Sequence, residues 1–238
     1  DVKLTTTITG QIQLEAGSEV IILGLVQTEG GDVATSSGDQ IIVNGGAIQT
    51  GAGAVDLSAP NDVQVTGGSN IISQSGSIAV TSQANLTVTG NVASDSGDVV
   101  LTATGDQLSL VGSVTSAAGE VQLVAGDTIV VEGSVSSGGD ITLSSGDRIS
   151  LGPASTIESQ SGDAFLVAFD LDAEPGSTVI APQGMVKISK PLNLDIVIPA
   201  TAATQIGALL SGAHGSAGAT TLASSGAGEV QDGTSGTP

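Results

Sequence analysis

VVLTATGDQLSLVGSVTSAAGE (99–120), VQLVAGDTIVVEGSVSSGGD (121–140) and ITLSSGDRISLGPASTIESQSGD (141–163) are three versions of one line. Each has a short apolar strand, a Gly-Asp corner, a second strand, a Gly, a third strand built on Val or Ile, and a Gly-acid corner. Tracing the first position backwards and forwards gives Ile12, Val33, Val55, Ile78, Val99, Val121, Ile141 and Ala164, spaced by 20 to 23 residues. A period of this size marks stacked supersecondary units. Three strands per coil predict an all-β fold, a three-sided parallel β-solenoid of about 8–9 coils of ~22 residues. The crossover rule favours a right-handed coil.

The columns carry this reading. Gly31, Gly53, Gly76, Gly97, Gly119, Gly139 and Gly162 precede the closing corner, and Gly24, Gly45, Gly67, Gly90, Gly112, Gly133 and Gly152 follow the second strand. Such columns suggest positive φ or close backbone approach in every coil. Within strands the pattern has period two: Leu86 and Val88, Leu108 and Leu110, and Ile149 and Leu151 face inward, while Thr87, Ser109 and Ser150 face out. Thr28, Thr50, Ser73, Ser94, Ser116, Ser137 and Ser159 each lie two residues after an apolar position. They are therefore expected inside, bonding along the axis or to the corner backbone. Ile22, Ile42 and Val130 are read as outward, forming a lateral contact strip.

Residues 1–10 read as a lead-in strand and residues 11–185 as the repeat domain. Residues 186–238 read as C-terminal strands followed by a Gly/Ala/Ser-rich tail that mediates subunit contacts. The chain starts at Asp1, so a processed product or a fragment is expected.

Composition narrows function. With 4 Lys and Arg against 24 Asp and Glu, the net charge is −20, which disfavours nucleic acid and anionic membrane. No apolar run approaches the ~20 residues of a membrane span. There is no Cys, so disulfides and thiolate chemistry are absent. His214, the single His, lies in the tail, and the only rings besides it are Phe165 and Phe169. A catalytic triad or a His/Cys metal set has no support. Lys3, Arg148, Lys187 and Lys190 are scattered. No enzyme is expected, and no catalytic or cofactor-binding residue is assigned.

Two acidic corner columns are the candidate sites. One holds Asp32, Asp98, Glu120, Asp140 and Asp163, interrupted by Ala54 and Ser77; the other holds Asp39, Asp62, Asp106, Asp127 and Asp147. Acids stacked ~5 Å apart repel, and Ca²⁺ with its oxygen ligands would relieve this. The competing reading is turn chemistry, in which Asp after Gly caps its own backbone. Asp170, Asp172 and Glu174 read as a solvated loop, and Asn85-Leu86-Thr87 as a chance glycosylation sequon. The outward first-strand residues Gln13, Ala34, Asp56, Ala79, Val100, Gln122 and Thr142 are too irregular for ice binding.

The phrases SGDVVLTATGDQLSLVGSV (96–114) and GGDITLSSGDRISL (138–151) resemble the imperfect coils of filamentous-haemagglutinin-type and autotransporter-passenger β-helices, and repeat regions of giant bacterial surface proteins. The likeness spans residues 11–185. It implies a rod in an extracellular or cell-surface setting, used in adhesion, matrix or envelope assembly. The function expected is an extracellular structural rod that forms a surface fibre, layer or matrix with copies of itself, head to tail or by strand exchange. A calcium- or glycan-binding adhesin module is the alternative, and a polysaccharide-active enzyme the remote one.

Overall fold

A computed structural model describes residues 4–6, 10–190 and 194–199, and side chains from 10 to 189. The tail beyond residue 199, with His214, lies outside the described residues, as do residues 1–3, Lys3 among them, and 7–9 of the lead-in segment. The described residues contain strands and no helix.

β1 (Leu4–Thr6) precedes the first coil, β2 (Ile12–Ala16), β3 (Val20–Ile22) and β4 (Leu25–Thr28). Coils two and three are β5 (Val33–Ser37), β6 (Ile41–Asn44), β7 (Ala47–Thr50), and β8 (Val55–Ala59), β9 (Val63–Thr66), β10 (Asn70–Ser73). Coils four and five are β11 (Ile78–Ser82), β12 (Leu86–Val88), β13 (Asn91–Ser94), and β14 (Val99–Ala103), β15 (Gln107–Leu110), β16 (Ser113–Ser116). Coils six and seven are β17 (Val121–Ala125), β18 (Thr128–Val131), β19 (Ser134–Ser137), and β20 (Ile141–Ser145), β21 (Arg148–Leu151), β22 (Thr156–Ser159). The eighth is β23 (Ala164–Val167), β24 (Asp170–Ala173) and β25 (Thr178–Ile180); β26 (Met185–Lys190) and β27 (Leu194–Pro199) follow.

Strands three apart in sequence pair in parallel, which makes three sheets, here called the first, second and third faces after the strand each coil contributes. The chain is a three-sided β-solenoid of about eight turns. At ~4.8 Å per rung the stack is roughly 40 Å long. The first face runs from β2 to β26 and ends in β27, ten strands in all. The third face has nine strands, β1 to β25, and the second face eight, β3 to β24. β27 is the exception to parallel pairing: it folds back antiparallel on β26, with Lys190 opposite Leu194 and Ile188 opposite Ile196.

The core is a set of axial ladders. Val99, Leu101, Ala103, Leu108, Leu110 and Val114 of the fifth coil are all fully buried, and each sits on its counterpart one coil on, as Leu101 does on Leu123 and Leu108 on Ile129. Alternation leaves Thr87, Ser109 and Ser150 half-exposed on the second face, as their period-two positions require. One expectation is corrected. Ile22 points into the core, 5% exposed, and Ile21 takes the outward place at 52%. The register pairs Ile21 with Ile42 and Ile22 with Val43; an offset of one residue swaps the two faces of a strand.

The Ser/Thr column lies inside and is fully hydrogen-bonded. Ser116 Oγ donates to the Gly97 carbonyl of the coil below at 2.8 Å and accepts the Gly119 N–H of its own coil at 2.9 Å. Ser73 and Ser94 repeat both bonds, and Ser137 and Ser159 repeat the donation to the coil below. Thr28 and Thr50 turn their hydroxyls to Gly31 and Gly53 of their own coils instead. Glycine recurs at this corner because backbone meets backbone: a Cβ on Gly76 would lie 2.1 Å from the Gly53 oxygen. The second glycine column is different. Gly45 and Gly67 have positive φ and belong to wider turns, while Ser69 and Ser155 occupy the rungs beside Gly90 and Gly133, as the neighbouring pairs Asn70–Asn91 and Ser134–Thr156 fix.

Candidate functional site

The first acidic column sits at the corner between the third and first faces. A parallel stack presents unpaired N–H groups wherever a corner breaks the ladder. Here aspartates supply the acceptors. Asp98 Oδ1 accepts the Glu120 N–H at 2.9 Å, and the adjacent Val99 N–H donates to the Glu120 carbonyl at 2.9 Å. Both backbone groups of one residue are thereby held by the coil beneath. Asp32 and Val33 hold Ala54 in the same way, with bonds of 2.8 and 2.9 Å. Asp140 and Ile141 hold Asp163, and Asp163 Oδ1 in turn accepts the Met185 N–H at 2.7 Å. The expectation that Asp after Gly caps its own backbone is corrected: the carboxylates of Asp32, Asp98, Asp140 and Asp163 cap the next coil instead. Nothing in the spacing separates these two arrangements; only the stacking distance does.

The second acidic column divides in two. Asp106, Asp127 and Asp147 occupy one ladder, linked by backbone bonds from Asp127 N–H to Asp106 C=O (3.1 Å) and from Asp147 N–H to Asp127 C=O (2.9 Å). Asp39 stands on this ladder too, below Asn61, whose Nδ2 donates to Asp39 Oδ1 at 2.6 Å. Asp62 is one residue out of this register. It belongs with Asn85, whose N–H and Nδ2 both donate to Asp62 Oδ1 at 3.1 Å. That pairing also engages the side chain of the sequon asparagine. One coil below, Gln40 Nε2 donates to Glu19 at 2.7 Å. At the other end Arg148 Nε meets Asp170 Oδ2 at 3.1 Å, both partly exposed. So acids along this edge alternate with amide or guanidinium donors, except at Asp106, Asp127 and Asp147, where three exposed carboxylates succeed one another.

Among the described residues no three or more Asp, Glu or His side chains converge into a metal-binding group. The solvated loop expected at Asp170, Asp172 and Glu174 is corrected: Asp170 and Asp172 lie in strand β24, paired with β21, and only Glu174 follows the strand, with Asp172 and Glu174 exposed. No helix among the described residues is long and apolar enough to cross a membrane. A hollow of about 430 Å³ lies on the third face, lined by Gln27, Glu29, Gln49, Ile72 and Gln74 among others. Its polar walls are three amides and one carboxylate, a set that hydrogen-bonds without offering an acid–base pair. Sequence reading passed over it because outward glutamines carry no periodic signal. Comparisons with family models, curated proteins and solved structures found no match to this chain.

Proposed function

We propose that this chain is a non-enzymatic structural rod of an extracellular or cell-surface fibre, layer or matrix, assembling with copies of itself. The observation that carries the reading is the three unbroken strand ladders, whose terminal strands have, among the described residues, no partner on their outer edges. Unpaired strand edges invite further strands, and head-to-tail contact between the unlike ends of identical chains yields an open filament where the rotation closes no ring. Asp32, Asp98, Asp140 and Asp163 support the same reading, since an oxygen of each is engaged in holding the next coil. The resemblance of residues 96–114 and 138–151 to filamentous-haemagglutinin-type and autotransporter-passenger coils supports a secreted or surface setting. Electron microscopy of the purified chain at neutral pH tests the proposal. Fibres or ordered layers are the expected result; uniform rods about one solenoid long, ~40 Å, overturn it.

An adhesin module is the second reading. It is favoured by the run of carboxylates at Asp106, Asp127 and Asp147, whose oxygens suit Ca²⁺, and by the amide-lined hollow around Gln49, whose donors and acceptors suit a glycan. Melting temperature and oligomeric state are measured with calcium and with a chelator. Identical values in both remove the calcium version, and a glycan-array signal indifferent to Gln49→Ala removes the other.

A further inference from the structure

The chain visits the faces in strict rotation: third, first, second. After β26 on the first face, a strand of the second face is due. β27 instead doubles back on β26, so the first face gains a tenth strand and the second face stops at its eighth, β24. The outer edge of β24 has no strand partner among the described residues. We propose that this edge is a docking site for the chain's own Leu194–Pro199 segment, which leaves β26 and lies parallel on β24 as the ninth strand of the second face.

Three observations fit this occupant. The connection is the right length: residues 191–193 separate β26 from β27, and three residues likewise separate β8 from β9 and β11 from β12. The pattern also matches. Pro60-Asn61-Asp62 leads into Val63-Gln64-Val65 on the second face, and Pro191-Leu192-Asn193 leads into Leu194-Asp195-Ile196. Finally, the apolar–Asp–apolar order of Leu194-Asp195-Ile196 repeats that of Leu171-Asp172-Ala173 in β24, so docking in register sets Leu194 beside Leu171. An opposing term explains the hairpin. Docking brings Asp195 alongside Asp172, and like charges on neighbouring strands repel; in the hairpin Asp195 lies opposite Ser189. The two placements are thus closely balanced alternatives for one strand. A docked β27 levels the end of the stack, while the hairpin leaves it stepped. The inference stands on the solenoid fold and not on self-assembly.

The chain has no Cys, so introduced thiols are the only ones present. Docking in register puts Val197 beside Glu174; the hairpin puts it opposite Lys187. Full-length Glu174→Cys/Val197→Cys, Lys187→Cys/Val197→Cys and a distant control, Asp106→Cys/Val197→Cys, are treated with a short thiol-bridging reagent. Bridged chains are then resolved on a denaturing gel. The expected result is intramolecular bridging of Glu174→Cys/Val197→Cys several-fold above the control. Bridging of the Lys187 pair alone overturns the proposal. Bridging of the Glu174 pair only between two chains also overturns it, and assigns the edge to a second copy. The yield is read from monomer, so an absence of fibres bears on the proposed function and leaves this result independent.

Discussion

Asp98 and Glu120, one coil apart, are joined by a carboxylate-to-amide bond of 2.9 Å, so a corner acid does for a solenoid coil what an N-cap does for a helix. Asp98→Ala removes the acceptor and is expected to cost about 1 kcal/mol, the usual scale for losing a cap. Asp98→Asn keeps an oxygen in place and is expected to lose less than half as much. Urea unfolding of both variants checks this; equal losses would mean that charge, rather than the acceptor, matters.

Ser116 bridges two glycines of adjacent coils from a fully buried position. Ser116→Ala leaves the Gly97 carbonyl and the Gly119 N–H without that partner, and unsatisfied buried groups cost roughly 1–3 kcal/mol. The expected drop in denaturation midpoint should exceed that of Ser109→Ala, whose side chain is half-exposed on the second face.

Thr35 runs the other way. It stands in the core ladder between Leu14 and Leu57, is 2% exposed, and its hydroxyl has no hydrogen-bond partner. Thr35→Val replaces an orphaned hydroxyl with a methyl of similar shape. The expectation is a stabilisation of about 1 kcal/mol, read as a higher melting temperature. An unchanged or lower value would mean that the hydroxyl is satisfied in solution.

Gly76 tests the close-approach argument. The Cβ of Gly76→Ala would meet the Gly53 oxygen at 2.1 Å, and two coils of continuous backbone cannot move apart cheaply. A loss of roughly 3 kcal/mol or more is expected, at the upper end of overpacking costs. Gly68→Ala is the comparison: its added Cβ meets nothing, and its cost comes from a φ of 75° alone. The ranking of the two by calorimetry decides the point.

The ladders were readable in advance because one rule, alternation within strands and repetition between coils, fixes both sequence and stacking. Leu86, Leu108 and Ile149 declare their face through neighbours two and twenty-odd residues away. The misses fall where coil length changes. Gly45, Gly67 and Gly152 fall near the expected place in the column, yet the Gly45 turn is wider by one residue and the Gly67 and Gly152 turns by two, which puts Ser69 and Ser155 on the rung. Asp62 stands one residue out of the Asp39 ladder, and Ile22 lies in a short strand of three apolar residues in a row whose pattern does not declare a face. The partners of the corner acids were legible only in part. A Gly-Asp dipeptide announces a capped turn, but whether the cap lies within the coil or on the next depends on two chains of backbone ~4.8 Å apart. The fold-back of β27 left no trace in the sequence, since its pattern suits the second face as well as the first.

The orientation of the ladders has a mechanical consequence. Hydrogen bonds in all three faces lie along the rod, so tension applied at its ends loads them in series, coil by coil. A coil that releases surrenders about 22 residues, or roughly 75 Å of extended chain, in place of the ~4.8 Å it occupied. Its neighbours keep their own ladders. Under load, such a molecule lengthens in discrete steps, each many times the rise it replaces, and dissipates work before it parts.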